Sequence, residues 1–270
     1  TTGSQNTALG RGALSANTTA SENTAVGYLA LTANTTGSPN VAMGSNALSN
    51  NTTGGSLVAI GREALTNNTT AHDNVAVGKH SLRQNTTGAS NVAVGKDALL
   101  LNTTASNNTA VGFRAGYSAT TGGSNTFIGR LSGYSSLAVE NNSALGAASL
   151  YANTTGQYNV AIGSSALYSN TTAGNNTAVG YRASHDNTTG TRNVSMGNDA
   201  MYQTTTGNDL VGIGFEALTR NTTGSNNVSV GKQALAFNTT ASNNTAVGYK
   251  AGYSNTTGIH NTLIGANAGD

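Results

Sequence analysis

The stretch Asn23-Thr24-Ala25-Val26-Gly27, NTAVG, decides the fold because it returns every seventeen residues along the chain. Sixteen copies align without insertion or deletion, and residues 1–270 form a single repeat domain in this interpretation. The copies begin at residues 6, 23, 40, 57, 74, 91, 108, 125, 142, 159, 176, 193, 210, 227, 244 and 261. A fixed short period is the signature of a repeat architecture. We call each copy a coil and number its positions from 1 to 17.

Four coil positions vary little. Position 1 is Asn in all but two coils, as at Asn23, Asn40, Asn74 and Asn91. Position 4 is always apolar, as at Val26, Ile60 and Ile162. Position 5 is always Gly, as at Gly27, Gly44 and Gly78. Position 8 is always Ala or Ser. Residues repeated in this way are expected to stack as structural ladders, and stacked Asn amides donate and accept along such a ladder.

Composition excludes several classes of protein. Charged residues make up 8% of the chain and the formal charge is +2, too small and too scattered for a nucleic-acid interface. Cysteine is absent, so neither a disulfide framework nor a thiolate metal site is expected. No run of eighteen apolar residues occurs, so no membrane span is predicted.

The repeat predicts an all-β protein, a parallel β-solenoid of sixteen 17-residue coils. Helix is disfavoured because every coil contains Gly together with β-branched, Asn and Thr residues. The invariant Gly suits a corner with positive φ or a close backbone approach. We expect two short strands per coil, before and after this Gly, and two turns.

Departures from the consensus predict which positions share the core. Where Leu at position 9 is replaced by Gly116 or Gly252, the next coil has Phe127 or Leu263 at position 3 instead of the usual Ala. Volume lost in one coil returns in the next, as close packing requires. The coil with Gly133 breaks this rule, because Ala144 follows it.

The motif resembles the SVAIG-type head repeats of YadA-like trimeric autotransporter adhesins and similar repeats of phage tail-fibre proteins. The likeness covers the whole chain and is plainest at Asn159-Val160-Ala161-Ile162-Gly163. This resemblance implies a left-handed parallel β-roll in which three chains associate side by side and project from a surface to bind host ligands.

The residues also indicate that one chain needs partners. Each coil has about two or three sizeable apolar side chains, too few to offset the ordering cost of seventeen residues at roughly 1.5 kcal/mol each. We expect association to bury the alanine-rich second face, and the resemblance favours a homotrimer.

Catalysis is not expected. The four histidines, His72, His80, His185 and His260, occupy different coil positions and so do not share a face. No Ser/His/Asp constellation stands out, and the calcium signature of other β-rolls is missing. The sequence therefore predicts no enzyme, no cofactor and no metal site.

The Asn-Thr-Thr triplets that begin at Asn34, Asn51 and Asn68, among others, have three interpretations. Asn and Thr stabilise turns by bonding their own backbone. Each triplet is also a glycosylation sequon, which places these Asn residues at the surface as possible glycan or contact sites. A repeated Thr array could instead bind ice. Tyrosines at position 10 suit an intersubunit seam or the stacking of sugars. They are Tyr117, Tyr134, Tyr151, Tyr168, Tyr202 and Tyr253.

These observations predict an extracellular homotrimeric fibre segment, the head or shaft of a cell-surface adhesin or of a virion tail fibre. A host-surface protein or polysaccharide would be its partner. The alternative is a filament-forming structural protein, because the chain is two residues short of sixteen full periods and copies could stack end to end in phase. Ice binding is a lesser alternative.

Overall fold

The computed structural model describes residues 2–270 as an all-β parallel β-solenoid, and those residues contain no helix. They fall into two compact units that divide between Val139 and Glu140, each with eight coils. The strands of the first unit are β1 Thr7–Leu9, β2 Asn23–Val26, β3 Asn40–Met43, β4 Leu57–Ile60, β5 Val75–Val77, β6 Val92–Val94, β7 Thr109–Val111 and β8 Thr126–Ile128. Those of the second unit are β9 Ser143–Leu145, β10 Val160–Ile162, β11 Thr177–Val179, β12 Val194–Met196, β13 Val211–Ile213, β14 Val228–Val230, β15 Thr245–Val247 and β16 Thr262–Ile264.

Within each unit, every strand pairs in parallel with the strand of the next coil. Partners are seventeen residues apart, so Val26 faces Met43 in the first unit and Ile162 faces Val179 in the second. The parallel, in-register stacking of the seventeen-residue coils is therefore confirmed. Equivalent residues of neighbouring coils lie directly above one another, and any side chain at a fixed position forms a row.

Each coil has one strand, and the prediction of two was wrong. The segment after the Gly forms two tight turns, closed by the Ala30 N–H to the Gly27 carbonyl and the Asn34 N–H to the Leu31 carbonyl, both at 3.3 Å. Leu29 and Leu31 have φ values of 53° and 52°, a left-handed conformation that strands do not adopt. Other N–H groups of this segment still bond to the coils on either side, so the stack is continuous there without a second strand.

The invariant Gly occupies a corner of the kind expected. Gly27 has a φ of 134°, and a Cβ built on it would lie 2.7 Å from both the carbonyl carbon and the oxygen of Gly44 in the next coil. The same contact recurs between Gly44 and Gly61. Position 5 thus needs Gly both for its φ and because the backbones of successive coils meet there.

The core is formed by positions 3, 8 and 9, where Ala25, Ala30 and Leu31 are each fully buried. The prediction that the alanine-rich second face serves for association was therefore wrong, since those alanines face the interior of their own coil. The apolar row at position 4 points outward instead, and Ile60 and Ile162 are 38% and 39% exposed. Alternation along the strand explains this arrangement, because positions 1 and 3 point inward and positions 2 and 4 outward.

The apparent break in volume compensation at Gly133 has a simple cause. The ring of the fully buried Phe127 lies where side chains on both Gly116 and Gly133 would project. One Phe at position 3 thus fills the space of two missing leucines, in its own coil and in the coil before it. Leu263 fills the space beside Gly252 and Gly269 in the same way. Positions 3 and 9 meet both within a coil and between coils.

Candidate functional site

The Asn row at position 1 is an interior feature. Asn23, Asn40, Asn74 and Asn91 are all buried. The main-chain N–H of Asn91 donates to Oδ1 of Asn74 at 2.8 Å, while Nδ2 of Asn74 donates to the carbonyl of Gly88 at 2.7 Å. These amides join each strand to the next coil and to the turn beneath, so they are not accessible to a ligand.

A second Asn row, at position 12, runs through the Asn-Thr-Thr turns. Nδ2 of Asn51 donates to Oδ1 of Asn34 at 2.9 Å, and Nδ2 of Asn68 donates to Oδ1 of Asn51 at 2.9 Å. Each amide also donates to the carbonyl three residues ahead, as Asn34 does to Gly37 at 3.0 Å. The prediction of Asn34, Asn51 and Asn68 as surface or glycan sites was wrong, because all three are fully buried and their Nδ2 atoms are engaged.

This position 12 amide ladder stops where the sequence departs from Asn. In the second unit, Asn187 donates to Asn170 at 3.0 Å, but the next coil has Thr204 at position 12. Neither Oδ1 of Asn187 nor the hydroxyl of Thr204 has a hydrogen-bond partner among the described residues. The ladder resumes in the following coils, where Nδ2 of Asn238 donates to Oδ1 of Asn221 at 2.8 Å.

The threonines of the triplet differ in their surroundings. At position 13, the hydroxyl of Thr35 donates to the carbonyl of Thr52 at 3.1 Å, and the hydroxyl of Thr52 donates to the carbonyl of Thr69 at 3.0 Å. At position 14, Thr36 and Thr53 are exposed. The triplets therefore leave one exposed Thr row rather than the lattice that ice binding would favour.

Charged side chains form a short row at position 7 of the first unit. His80 Nδ1 lies 3.1 Å from Asp97 Oδ1, and Arg114 Nε lies 3.4 Å from Asp97 Oδ2. Glu63 contacts both His80, at 3.5 Å, and Arg83, at 3.0 Å. Acidic and basic side chains alternate along this row, and no sequence motif predicted it.

The outward face of the strands in each unit is uncharged and partly exposed, and we call it the outer sheet face. It consists of positions 2 and 4 of the strands, which carry Thr, Val, Ile, Leu or Met, with one Ser, and no charge in any of the sixteen coils. All twelve Lys and Arg and all ten Asp and Glu lie at other positions. Exposed large side chains include Met43 and Met196, each at 42%. Within each unit, an uncharged face of this kind is typical of an interaction surface.

The tyrosines at position 10 stack on one another, half-buried. In the first unit, the rings of Tyr117 and Tyr134 are 5.1 Å apart and inclined by 13°. In the second unit, Tyr151 and Tyr168 stack at 4.9 Å. His185 continues this row at 5.0 Å from Tyr168, and Tyr202 follows at 5.2 Å. We call the second-unit row the aromatic ladder.

Sequence reasoning treated His185 as an isolated histidine, although it shares position 10 with the tyrosines. Its Nδ1 lies 2.7 Å from Oδ1 of Asp186. Arg182 borders the same ladder, with its guanidinium carbon 4.8 Å from the centroid of the Tyr202 ring. Hydrogen bonding to the Asp199 carboxylate raises the pKa of Arg182 above its ordinary value, although burial opposes this shift. Comparing coil positions, rather than residue types, would have found this cluster.

The aromatic ladder ends in a groove on the second unit. Position 10 carries Thr219 and then Ala236 in the two coils after Tyr202, before Tyr253. The space encloses about 240 Å³. Its lining residues are Tyr202, Gln203, Glu216, Thr219, Arg220, Gln233, Ala236, Phe237 and Tyr253. The row of tyrosines was predicted from the sequence, whereas the gap between Tyr202 and Tyr253 was not.

Over residues 2–270, no three His, Asp or Glu side chains converge in a geometry able to hold a metal ion. In the same residues, no helix has the length and apolar character needed to cross a bilayer.

Comparison with known proteins gave no match. No family model, no curated protein sequence and no solved structure matches the chain.

Proposed function

We propose that this chain is a segment of an extracellular homotrimeric fibre, the head or shaft of a cell-surface adhesin or a phage tail fibre. The outer sheet face carries the proposal. Every coil contributes two uncharged outward side chains there, and the position 4 side chain is apolar in all of them. An exposed row of this kind is stabilised when a second copy covers it, because burial removes apolar surface from water.

The geometry of the row favours copies of the same chain as partners. Its residues repeat at the coil spacing, about 4.8 Å, so an identical chain in the same orientation would present a matching row at the same spacing. β-Branched side chains such as Val26 and Ile162 interdigitate well between packed sheets. The threefold number and the left-handed roll rest on the resemblance to YadA-like heads. Attachment would follow from several copies of a weak site held side by side.

Sedimentation equilibrium of the purified chain tests this proposal. We expect a mass of three chains that does not change over a hundredfold dilution. A folded monomer, recognised by a retained β-type circular dichroism spectrum, would contradict the proposal. A polymer of indefinite mass would support the filament alternative instead.

A further inference from the structure

The aromatic ladder is interrupted at a defined place. From Tyr151 to Tyr202, rings succeed one another at every coil, with centroids about 5 Å apart. One face of the Tyr202 ring meets His185, and beyond Tyr202 the ladder position holds only Thr219 and then the buried Ala236. Two rungs are therefore missing, and the groove lies beside the positions that they would occupy.

Aromatic groups bound this space at both ends. Tyr202 lines it from one coil, and Tyr253 lines it three coils later. Phe237, at the neighbouring position 11, packs edge-on against Tyr253 with centroids 4.8 Å apart. The guanidinium carbon of Arg220 lies over the Phe237 ring, 4.2 Å from its centroid. These contacts hold the rings in place, so the apolar walls are formed before a ligand arrives.

The remaining lining is polar and close to neutral. Nε2 of Gln233 donates to Oε2 of Glu216 at 2.7 Å, which fixes both side chains at one edge. Gln203 supplies a further amide, and Arg220 is the one cation among the lining residues. The charges of the Glu216 carboxylate and the Arg220 guanidinium cancel, so the groove does not select a charged ligand. Phosphate groups would also meet the Glu216 carboxylate, which disfavours a nucleotide.

We propose that this groove binds one uncharged hexopyranose ring of a glycan. The C–H face of such a ring packs on aromatic side chains, while its adjacent hydroxyls both donate and accept hydrogen bonds, as amides and carboxylates require. The volume is below the roughly 300 Å³ at which pockets for drug-sized ligands begin, so one ring fits better than several. This inference deepens the proposed function, because a trimer would present three such grooves.

The proposal is tested with neutral hexaoses of glucose, galactose, mannose and N-acetylglucosamine. A hexaose of uronic acid serves as the charged comparison. Binding is followed by NMR on protein labelled at Tyr and Phe. We expect at least one neutral hexaose to bind at millimolar concentration and to shift resonances of Tyr202, Phe237 and Tyr253. The uronic acid should bind no better.

Filling the gap provides a matched pair of variants. Thr219→Tyr with Ala236→Tyr places Tyr at the two missing rungs. The adjoining coils already carry Tyr at this position, as Tyr202 and Tyr253. Thr32→Tyr with Thr66→Tyr places the same residues at position 10 of the first unit, far along the sequence from the groove. We expect at least a tenfold loss of affinity in the filled variant and no change in the control pair.

Several results would overturn the inference: no binding of any neutral hexaose, stronger binding of the uronic acid, equal binding by the filled variant, or equal loss in the control pair. Sedimentation of the same samples separates this inference from the proposed function. A trimer that binds no hexaose refutes the groove alone. A monomer that binds a neutral hexaose refutes the fibre alone.

Discussion

Phe127 illustrates how single residues adjust this core. Its ring occupies the space beside Gly116 and Gly133, where most other coils have Leu. The two glycines have φ values of 58° and 59°, close to those of the leucines at position 9, such as Leu31 at 52°. The φ at position 9 is therefore similar in both arrangements, which differ in whether Leu at position 9 or Phe at position 3 fills the core.

Replacing Phe127 with Ala should create a cavity and lower the free energy of unfolding by about 3–5 kcal/mol. The triple variant Phe127→Ala, Gly116→Leu, Gly133→Leu restores the consensus residues and should recover most of this loss, because the leucines refill the space at a φ that leucine adopts in sister coils. Chemical denaturation of the two variants checks the pair. A triple variant no more stable than the single one would contradict the account.

The requirement for Gly at position 5 can also be tested. Gly27→Ala should destabilise the chain by about 2–5 kcal/mol, because its positive φ is strained for Ala and its Cβ would meet the Gly44 backbone. Thr36→Ala, at the exposed position 14 of the same coil, is the control. Thermal unfolding should show a large loss for the first and a small one for the second. Equal losses would mean that position 5 has no special requirement.

Among the elements, the amide ladder at position 12 ties the turns of successive coils together. Each internal amide donates twice, to the preceding Asn and to its own turn, and accepts once from the next coil, as Asn51 does between Asn34 and Asn68. A buried amide without a partner costs about 1–3 kcal/mol. The break at Thr204 leaves such an atom on Asn187.

Thr204→Asn should therefore stabilise the second unit by about 1 kcal/mol. The new amide can donate to Asn187 and to the Gly207 carbonyl, and accept from Asn221, as its equivalents do. Differential scanning calorimetry should show a higher melting temperature. Thr206→Asn, at the exposed position 14, is the matched control and should leave the melting temperature unchanged. A decrease for Thr204→Asn would show that the break has another cause.

Periodicity alone predicted the stack, its register and the meeting of positions 3 and 9, because each depends on which residues recur every seventeen. It did not predict the two turns after Gly27, since Leu29 and Leu31 adopt a positive φ that single non-Gly residues rarely show. The neighbouring coils impose that conformation through hydrogen bonds on both sides. The burial of Asn34 was missed for a similar reason, because Asn-Thr-Thr is typical of exposed turns.

The candidate groove was partly visible in the sequence. Tyr202 and Tyr253 share position 10, which marked an aromatic row, and Thr219 and Ala236 were readable as its gap. The contributions of Phe237, Glu216 and Gln233 were not, because they come from positions 7 and 11. Their convergence depends on how the turns fold within each coil.

The outer sheet face is the surface through which we expect copies of the chain to associate. A charge placed on position 4 would have to be buried without a partner when copies associate, which is strongly unfavourable. The same charge is harmless in a lone chain, because Ile162 is 39% exposed there. A charge at position 4 is therefore expected to weaken association without preventing the single chain from folding.

Ile162→Glu should reduce the proposed trimer to monomers, or raise its dissociation constant at least a hundredfold. Thr172→Glu adds the same charge to the exposed position 14 of that coil and should leave the trimer intact. Sedimentation velocity at several concentrations measures both. Dissociation by Thr172→Glu, or a trimer that persists with Ile162→Glu, would place the interface elsewhere.

Cross-linking through single cysteines tests the central claim most directly, because the chain has no cysteine of its own. Ile162→Cys puts one thiol on the outer sheet face, and Thr172→Cys puts one on the exposed Thr row of the same coil. Under mild oxidation and non-reducing electrophoresis, we predict disulfide-linked pairs of chains for Ile162→Cys and unlinked chains for Thr172→Cys. The reverse pattern, or no linkage of Ile162→Cys, would contradict the claim that copies associate through this face.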